Sequence, residues 1–278
     1  MIFNKLFFLL AIGLLSLVRV TEKNKTELTC AADRKAGKTI KLFNGKNLDG
    51  WYTFLKDRGR DKDPKSVFTV KDGMIHISGE EWGCITTNKA YENFSLTVEF
   101  RWGGKTCEPR LNNARDGGIL LHSTGKDGGY SGTWMHGIEC QIIEGGTGDM
   151  LVVGDGSDNF SITCPVAAEK QKSSYLFKEN GDTVTIHGGR INWWGRADDW
   201  DDIKDFRGKQ DVEKPLGEWN TMECVADGKN IAVFLNGVLV NRAMNVLPSK
   251  GRIQVQSEGA EIIFRRIDLT MLPGKKKN

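Results

Sequence analysis

The chain has no C-x-x-C pair, no G-x-S-x-G elbow, no P-loop and no dinucleotide fingerprint. The first absence removes the usual cysteine frame for zinc. The second removes serine catalysis of the α/β-hydrolase kind. The last two remove the standard phosphate cradles built where a glycine loop meets a helix. Gly125-Lys126-Asp127-Gly128-Gly129 is no substitute, because no helical pattern follows it. Long amphipathic helices are also missing, and only Ala167 to Lys172 suggests one short helical turn. Nor is there an internal repeat, or a basic stripe interleaved with aromatics. The net charge is only +3, and Lys275-Lys276-Lys277 reads as a solvated tail, so nucleic acid is not an expected partner.

What is present is glycine, tryptophan and alternation. The 33 glycines among 278 residues suit a fold with many tight turns, and the 8 tryptophans suit a surface that stacks on flat ligands or sugar rings. An apolar run from Leu6 to Val18 follows Lys5. It is short for a membrane span and right for the core of a signal peptide. Residues 1–20 therefore read as an export signal, with membrane contact only through this segment if it stays uncut. The expected location is outside the cytoplasm, periplasmic or extracellular. A polar linker, 21–38, precedes one domain at 39–273 and a basic tail at 274–278. Six cysteines, an even number, are compatible with disulfides in an oxidising compartment, although Cys140 and Cys224 fall on apolar strand faces that also suit buried thiols.

Alternation with a period of two predicts strand after strand. Lys71-Asp72-Gly73 and Asn236-Gly237 mark two hairpins. In Ser95–Trp102, Leu96, Val98, Phe100 and Trp102 share one face, and Ser95, Thr97, Glu99 and Arg101 the other. Further strands are expected at 118–122, 138–143, 183–187, 219–225, 231–235, 252–256 and 262–269. Many short strands with half-polar faces imply an antiparallel jelly-roll sandwich.

The same parity defines a candidate site. Ile119 and Leu121 oppose His122, while Ile138, Cys140 and Ile142 oppose Glu139 and Gln141. If strands 95–102, 118–122, 138–143 and 183–187 share a sheet, one face collects Glu99, Arg101, His122, Glu139, Gln141, Thr185 and His187. Such a face has a base, a proton donor near neutral pH and a cation for a developing oxyanion. It also has ligand types for a divalent metal, the one candidate cofactor. The alternative is a solvated outer face. His136 and Glu144 fall outside this parity, while Asp116, Glu144 and Asp149 lie at strand ends, where carboxylates serve sites or face water. Asp155-Gly156-Ser157-Asp158-Asn159 looks like part of a calcium loop but lacks the closing Glu, which favours a polar turn. The segment Gly188 to Lys209, with Trp193, Trp194 and Trp200, is too long for a plain connection. It could wall a sugar pocket or pack over a sheet edge.

Several motifs then converge. Ile40 to Trp51 contains Leu42-Phe43-Asn44-Gly45-Lys46-Asn47-Leu48-Asp49-Gly50-Trp51. Thr87-Asn88-Lys89-Ala90-Tyr91-Glu92-Asn93-Phe94, Gly137-Ile138-Glu139-Cys140-Gln141, Gly217-Glu218-Trp219-Asn220 and Leu235-Asn236-Gly237 follow. Together, over about residues 39–272, they resemble the 3-keto-disaccharide hydrolase family. One departure is Asp116-Gly117-Gly118-Ile119, where most members have an N-S-G-I-type motif. The resemblance implies a concanavalin A-like jelly roll with 3-keto-glucoside 1,2-lyase or 3-keto-glucal hydratase activity, in exported bacterial proteins of glycan breakdown. A ketone at C3 acidifies the C2 proton, so a base removes it and the C1 substituent leaves. Glu139 takes the family's carboxylate position as base or ligand. Strand parity adds His122 as proton donor and Arg101 on the ketone. Gln141, Glu99, Asp116, His187, Trp193 and Trp194 are the expected substrate-binding residues, and the expected partner is a glycoside or 3-keto-glycoside. The alternatives are a non-catalytic carbohydrate-binding module and a two-carboxylate glycosidase pairing Glu139 with Glu99.

Overall fold

The computed structural model describes residues 37–273. The expected signal segment, nearly all of the linker and the basic tail lie outside the described residues. Nineteen strands follow in order: β1 Thr39–Lys41, β2 Trp51–Leu55, β3 Gly59–Arg60, β4 Phe68–Lys71, β5 Met74–Ile77, β6 Gly83–Thr87, β7 Phe94–Thr106, β8 Asp116–Thr124, β9 His136–Ile143 and β10 Met150–Val153. Then come β11 Ser161–Val166, β12 Tyr175–Leu176, β13 Asp182–Ile186, β14 Gly189–Asn192, β15 Asn220–Asp227, β16 Asn230–Leu235, β17 Val238–Leu247, β18 Arg252–Ser257 and β19 Ala260–Met271. No helix forms among the described residues; Ala167–Lys172 is a bend that ends in the tight Gln171–Ser174 turn.

The strands form two sheets. The first runs β13-β11-β17-β16-β15-β7-β19-β5-β4, with β1 paired to β19. The second runs β12-β14-β10-β9-β8-β18-β6-β2-β3. All pairings are antiparallel except β12 with β14. This is the concanavalin A-like jelly-roll sandwich. Period-two alternation makes it: Leu96, Val98 and Phe100 on β7 and Met222 and Cys224 on β15 face inward from the first sheet, fully buried. They meet Ile119 and Leu121 on β8, Ile138, Cys140 and Ile142 on β9, and Ile253 and Val255 on β18. Burying a Leu or Ile side chain in such a layer contributes about 1.5–3 kcal/mol, which locks the register of each strand. The expected hairpin at Asn236-Gly237 forms, with both residues at positive φ (50° and 84°), as a two-residue turn of matching twist requires.

The topology corrects one premise of the sequence reading. β7 and β13 belong to the first sheet, whereas β8 and β9 belong to the second. Glu99, Arg101 and His187 therefore do not share a face with Glu139. Parity assigns a residue to a side of its own strand but does not say which sheet that strand joins. Cys84, Cys107, Cys140, Cys164 and Cys224 are free thiols, all but Cys107 buried.

Candidate functional site

The outer face of the second sheet carries the site. Its central row crosses seven strands in register: Arg190 on β14, Leu151 on β10, Glu139 on β9, Leu120 on β8, Gln254 on β18, Thr86 on β6 and Tyr52 on β2. Gln141, Gly118, Gln256 and Cys84 have the same parity two residues along their strands. The loop between β8 and β9 folds over this face. Tyr52 donates a 2.7 Å hydrogen bond to Asp127, Arg60 pairs with Asp127 at 2.6 Å, and the Met135 amide donates to Gln254 at 3.0 Å. This lays Trp134 on Leu120 and Cys84, a small apolar cluster separate from the main core, with Tyr130 and Leu151 packed against it. A cleft of about 190 Å³ remains, lined by Asp116, Glu139, Gln141, Arg190, Glu258, Tyr130 and Trp134.

Gly118 is the spatial key to the cleft. A Cβ there would sit 2.5 Å from both Glu139 Oε1 and Gln256 Oε1, so only glycine lets these two side chains lean together over β8. Both polar ends of the Gln256 amide stay buried without a hydrogen bond of good geometry. An orphaned buried amide costs free energy that a ligand hydroxyl could recover.

Three carboxyls converge here. Burial, reinforced by the Asp116 charge and opposed by Arg190, pushes Glu139 up to about 8. Burial pushes Asp116 up to about 7, against the pull of Arg110 and Arg190. Glu258 is raised well above the usual carboxylate range, first by burial and then by Asp116 and Glu139. Asp116 is fixed in place: Gln141 Nε2 donates to it at 2.5 Å and Arg110 pairs with it at 3.1 Å. Beneath, the fully buried Asp149 holds Arg190 at 3.2 Å and binds Arg196 and the Trp193 amide. Arg190 is thus braced in position, with about a quarter of its side chain exposed. A braced cation beside a desolvated carboxyl needs little rearrangement to meet developing charge.

Of the expected site residues, the structure brings together Glu139, Gln141 and Asp116. The others stand elsewhere. His122 has φ +54° at a bulge where the pairing of β8 with both β9 and β18 shifts register. An extra residue in a bulge reverses strand parity, so His122 turns into the core. Its Nδ1 lies 2.9 Å from the Pro248 carbonyl and its ring packs edge-on to Phe94 at 5.8 Å. Burial pushes its pKa down to about 4, leaving it neutral. Arg101 lies over Trp219 on the first sheet, 5.0 Å from the ring centre. Glu99 pairs there with Arg265 and Arg266 at 2.5 and 3.3 Å. His187 is partly exposed, 3.5 Å from Asp158. Trp193 is buried in the core and donates to the Gly145 carbonyl at 3.2 Å. Trp194 donates to the Leu239 carbonyl on the first sheet. Glu144 is locked to Arg115 at 2.5 Å, and Asp155 forms a polar turn by accepting from the Ser157 amide. No group of three or more His, Cys, Asp or Glu side chains is arranged to hold a metal ion among the described residues.

Arg190, Gln256, Glu258, Tyr130 and Trp134 went unpredicted. For two of them the signal was present: Arg190-Ile191 and Gln254-Val255-Gln256 alternate as Glu139-Cys140-Gln141 does. Glu258 follows the end of β18, and the two aromatics lie on the loop, where parity has no hold.

The molecule is a jelly-roll sandwich with an acid-rich cleft on one outer face, and the family match makes its function carbohydrate-related. The chain belongs to the 3-keto-alpha-glucoside-1,2-lyase-like domain family, whose model matches residues 38–270. Among solved structures it is similar to a candidate glycosyl hydrolase from Parabacteroides distasonis, with 19% identity over 91% of this chain and 98% of that one, at a TM-score of 0.50. A second candidate glycosyl hydrolase from the same organism shares 20% identity over 84% and 100% of the two chains, with a TM-score of 0.46. A carbohydrate-binding module from Bacillus subtilis shares 12% over 79% and 94%, with a TM-score of 0.39. The likeness at this level concerns the fold. No curated protein matches the chain in sequence.

Proposed function

We propose that the protein is an exported enzyme that cleaves 3-keto-glycosides by elimination across C1 and C2. The observation that carries this is Glu139: a desolvated carboxyl raised to about 8, leaning with Gln256 over Gly118 and facing the cleft beside Arg190. A base of that strength suits a carbon acid already acidified by a neighbouring ketone. Glu139 takes the C2 proton, and the C2–H electrons form the enolate of the C3 ketone. Arg190, braced by Asp149, meets the enolate oxygen in the place first expected of Arg101. The enolate then reforms the ketone, the C1–C2 double bond forms, and the C1–O bond breaks. The departing oxygen takes a proton from Glu258, a carboxyl that burial and the nearby Asp116 and Glu139 push well above the usual carboxylate range. The products are an enone and a free alcohol, with no net oxidation. Asp116, Gln141 and Gln256 position the ring.

The test is incubation with a 3-keto-glucoside while following ultraviolet absorbance of the enone. Turnover should rise with pH as Glu139 ionises, through about 8. Glycan binding that survives Glu139→Ala, with no product from the wild type at any pH, would replace the lyase with a binding module. Removal of the N-terminal segment on secretion, read by mass spectrometry, tests export.

A further inference from the structure

The cleft over Glu139 has a hollow on each flank. On one side a hollow of about 360 Å³ shares Arg190 with it and is lined by Lys172, Asn192 and Trp200. On the other side a hollow of about 370 Å³ is lined by Lys56, Trp82 and Pro109. Trp82 stacks against Trp134, a wall of the central cleft, with ring centres 5.8 Å apart. Sheet order puts the hollows on opposite flanks of β9: Asn192 is on β14, two strands to one side, and Trp82 precedes β6, three strands to the other. Five strand spacings separate β14 from β6, a run of about 24 Å across the sheet.

Buried polar atoms without partners follow the same line. Asn192 Oδ1 is unpaired on a residue only 6% exposed, and its amide nitrogen is already committed to Gln171. The Gln256 amide is unpaired at the centre, and Trp82 Nε1 is unpaired at the far end. Two acceptors and two donors in a row match a chain of hydroxyl groups. The charges in the flanks exclude an acidic ligand: Lys172, Arg190 and Arg196 meet Asp198, Asp201 and Asp202 in one hollow, and Lys56 and Arg58 meet Asp57, Glu80, Glu81 and Glu108 in the other. Neither hollow has the surplus of cations an acidic glycan would need.

We infer that the cleft is open at both ends and binds a neutral oligosaccharide of at least three units, its central ring over Glu139. Resting on the reading above, the central ring is the oxidised one. A ring inside a chain can carry a ketone at C3 only when that carbon is outside the linkage, so the neighbours are joined through positions such as 1,4 or 1,6.

The experiment is calorimetric titration of the whole chain with unoxidised glucose and its 1,4- and 1,6-linked di-, tri- and tetrasaccharides, α and β. Affinity should rise by roughly tenfold or more from glucose to the trisaccharide in one linkage series. Trp82→Ala and Asn192→Leu should each remove part of that rise. Lys172→Ala, at an accessible rim, should do the same; it removes one exposed hydrogen bond, to the Trp200 carbonyl, and circular dichroism checks that the fold is kept. No dependence on length in any series would overturn the inference, as would a dependence unchanged in both Trp82→Ala and Lys172→Ala. The probes carry no ketone, so the result is independent of whether the elimination occurs.

Discussion

Glu99 and Glu139 are both outward-facing carboxyls in strongly alternating strands, and their environments are opposite. On the first sheet, burial pushes Glu99 up, but hydrogen bonds from Arg265 and Arg266 outweigh it and leave it below the usual range. On the second sheet, the loop carrying Trp134 and the neighbouring strands take Glu139 out of water, and no arginine pairs with it directly; it ends up at about 8. The identity of the acid decides little. What covers the sheet decides whether an outer-face carboxylate is a solvated ion pair or a strong base.

Four changes would break or sharpen that contrast. Glu139→Gln should lower kcat by about 10²–10⁴, the range of a lost general base, with folding intact by circular dichroism. Its effect on stability should depend on pH. A carboxyl raised in the folded state contributes stability below its unfolded value near 4.5, which is lost as pH rises through about 8. The Gln variant should therefore melt higher than wild type at pH 9 and gain nothing at pH 4. Asp149→Ala leaves Arg196 buried without its partner and frees Arg190. It should cost about 3–5 kcal/mol in denaturant unfolding and reduce turnover as well.

His122→Ala removes the hydrogen bond to Pro248 and places alanine at positive φ. It should cost about 2 kcal/mol while leaving kcat unchanged, and His122→Asn should cost less because asparagine tolerates that conformation. A large loss of kcat with unchanged stability would return His122 to the site. Glu99→Gln should change stability by less than about 1 kcal/mol and activity not at all, as for an exposed ion pair.

Much of this was legible in the residues. The alternation of Leu96 to Trp102 and of Ile138 to Ile142 set strands, faces and the sandwich, because burial of one face rewards a period of two. Glu139, Gln141 and Asp116 followed from the same rule and do line the cleft. Three things were out of its reach. Which sheet a strand joins depends on long-range pairing, so Glu99, Arg101 and His187 were grouped with the wrong partners. A bulge has no marker in Leu120-Leu121-His122-Ser123, so His122 was sent outward. Tryptophans signal a platform for sugar and a core equally well; Trp193 took the core, while Trp134 and Trp82 line the cleft and its flanking hollow.

The bulge at His122 has a wider meaning for how this chain can change. It acts as a phase reset within β8: up to Leu121 the even-numbered residues face the cleft and the odd-numbered ones the core, and at His122 an even-numbered residue turns inward. Drift on one side of the reset does not propagate to the other. The cleft-facing positions Asp116 and Leu120 can therefore be retuned for a new ligand while Ile119 and Leu121 hold the core and Ser123 and Thr124 keep their own register, so one continuous strand serves as two separately inheritable pieces.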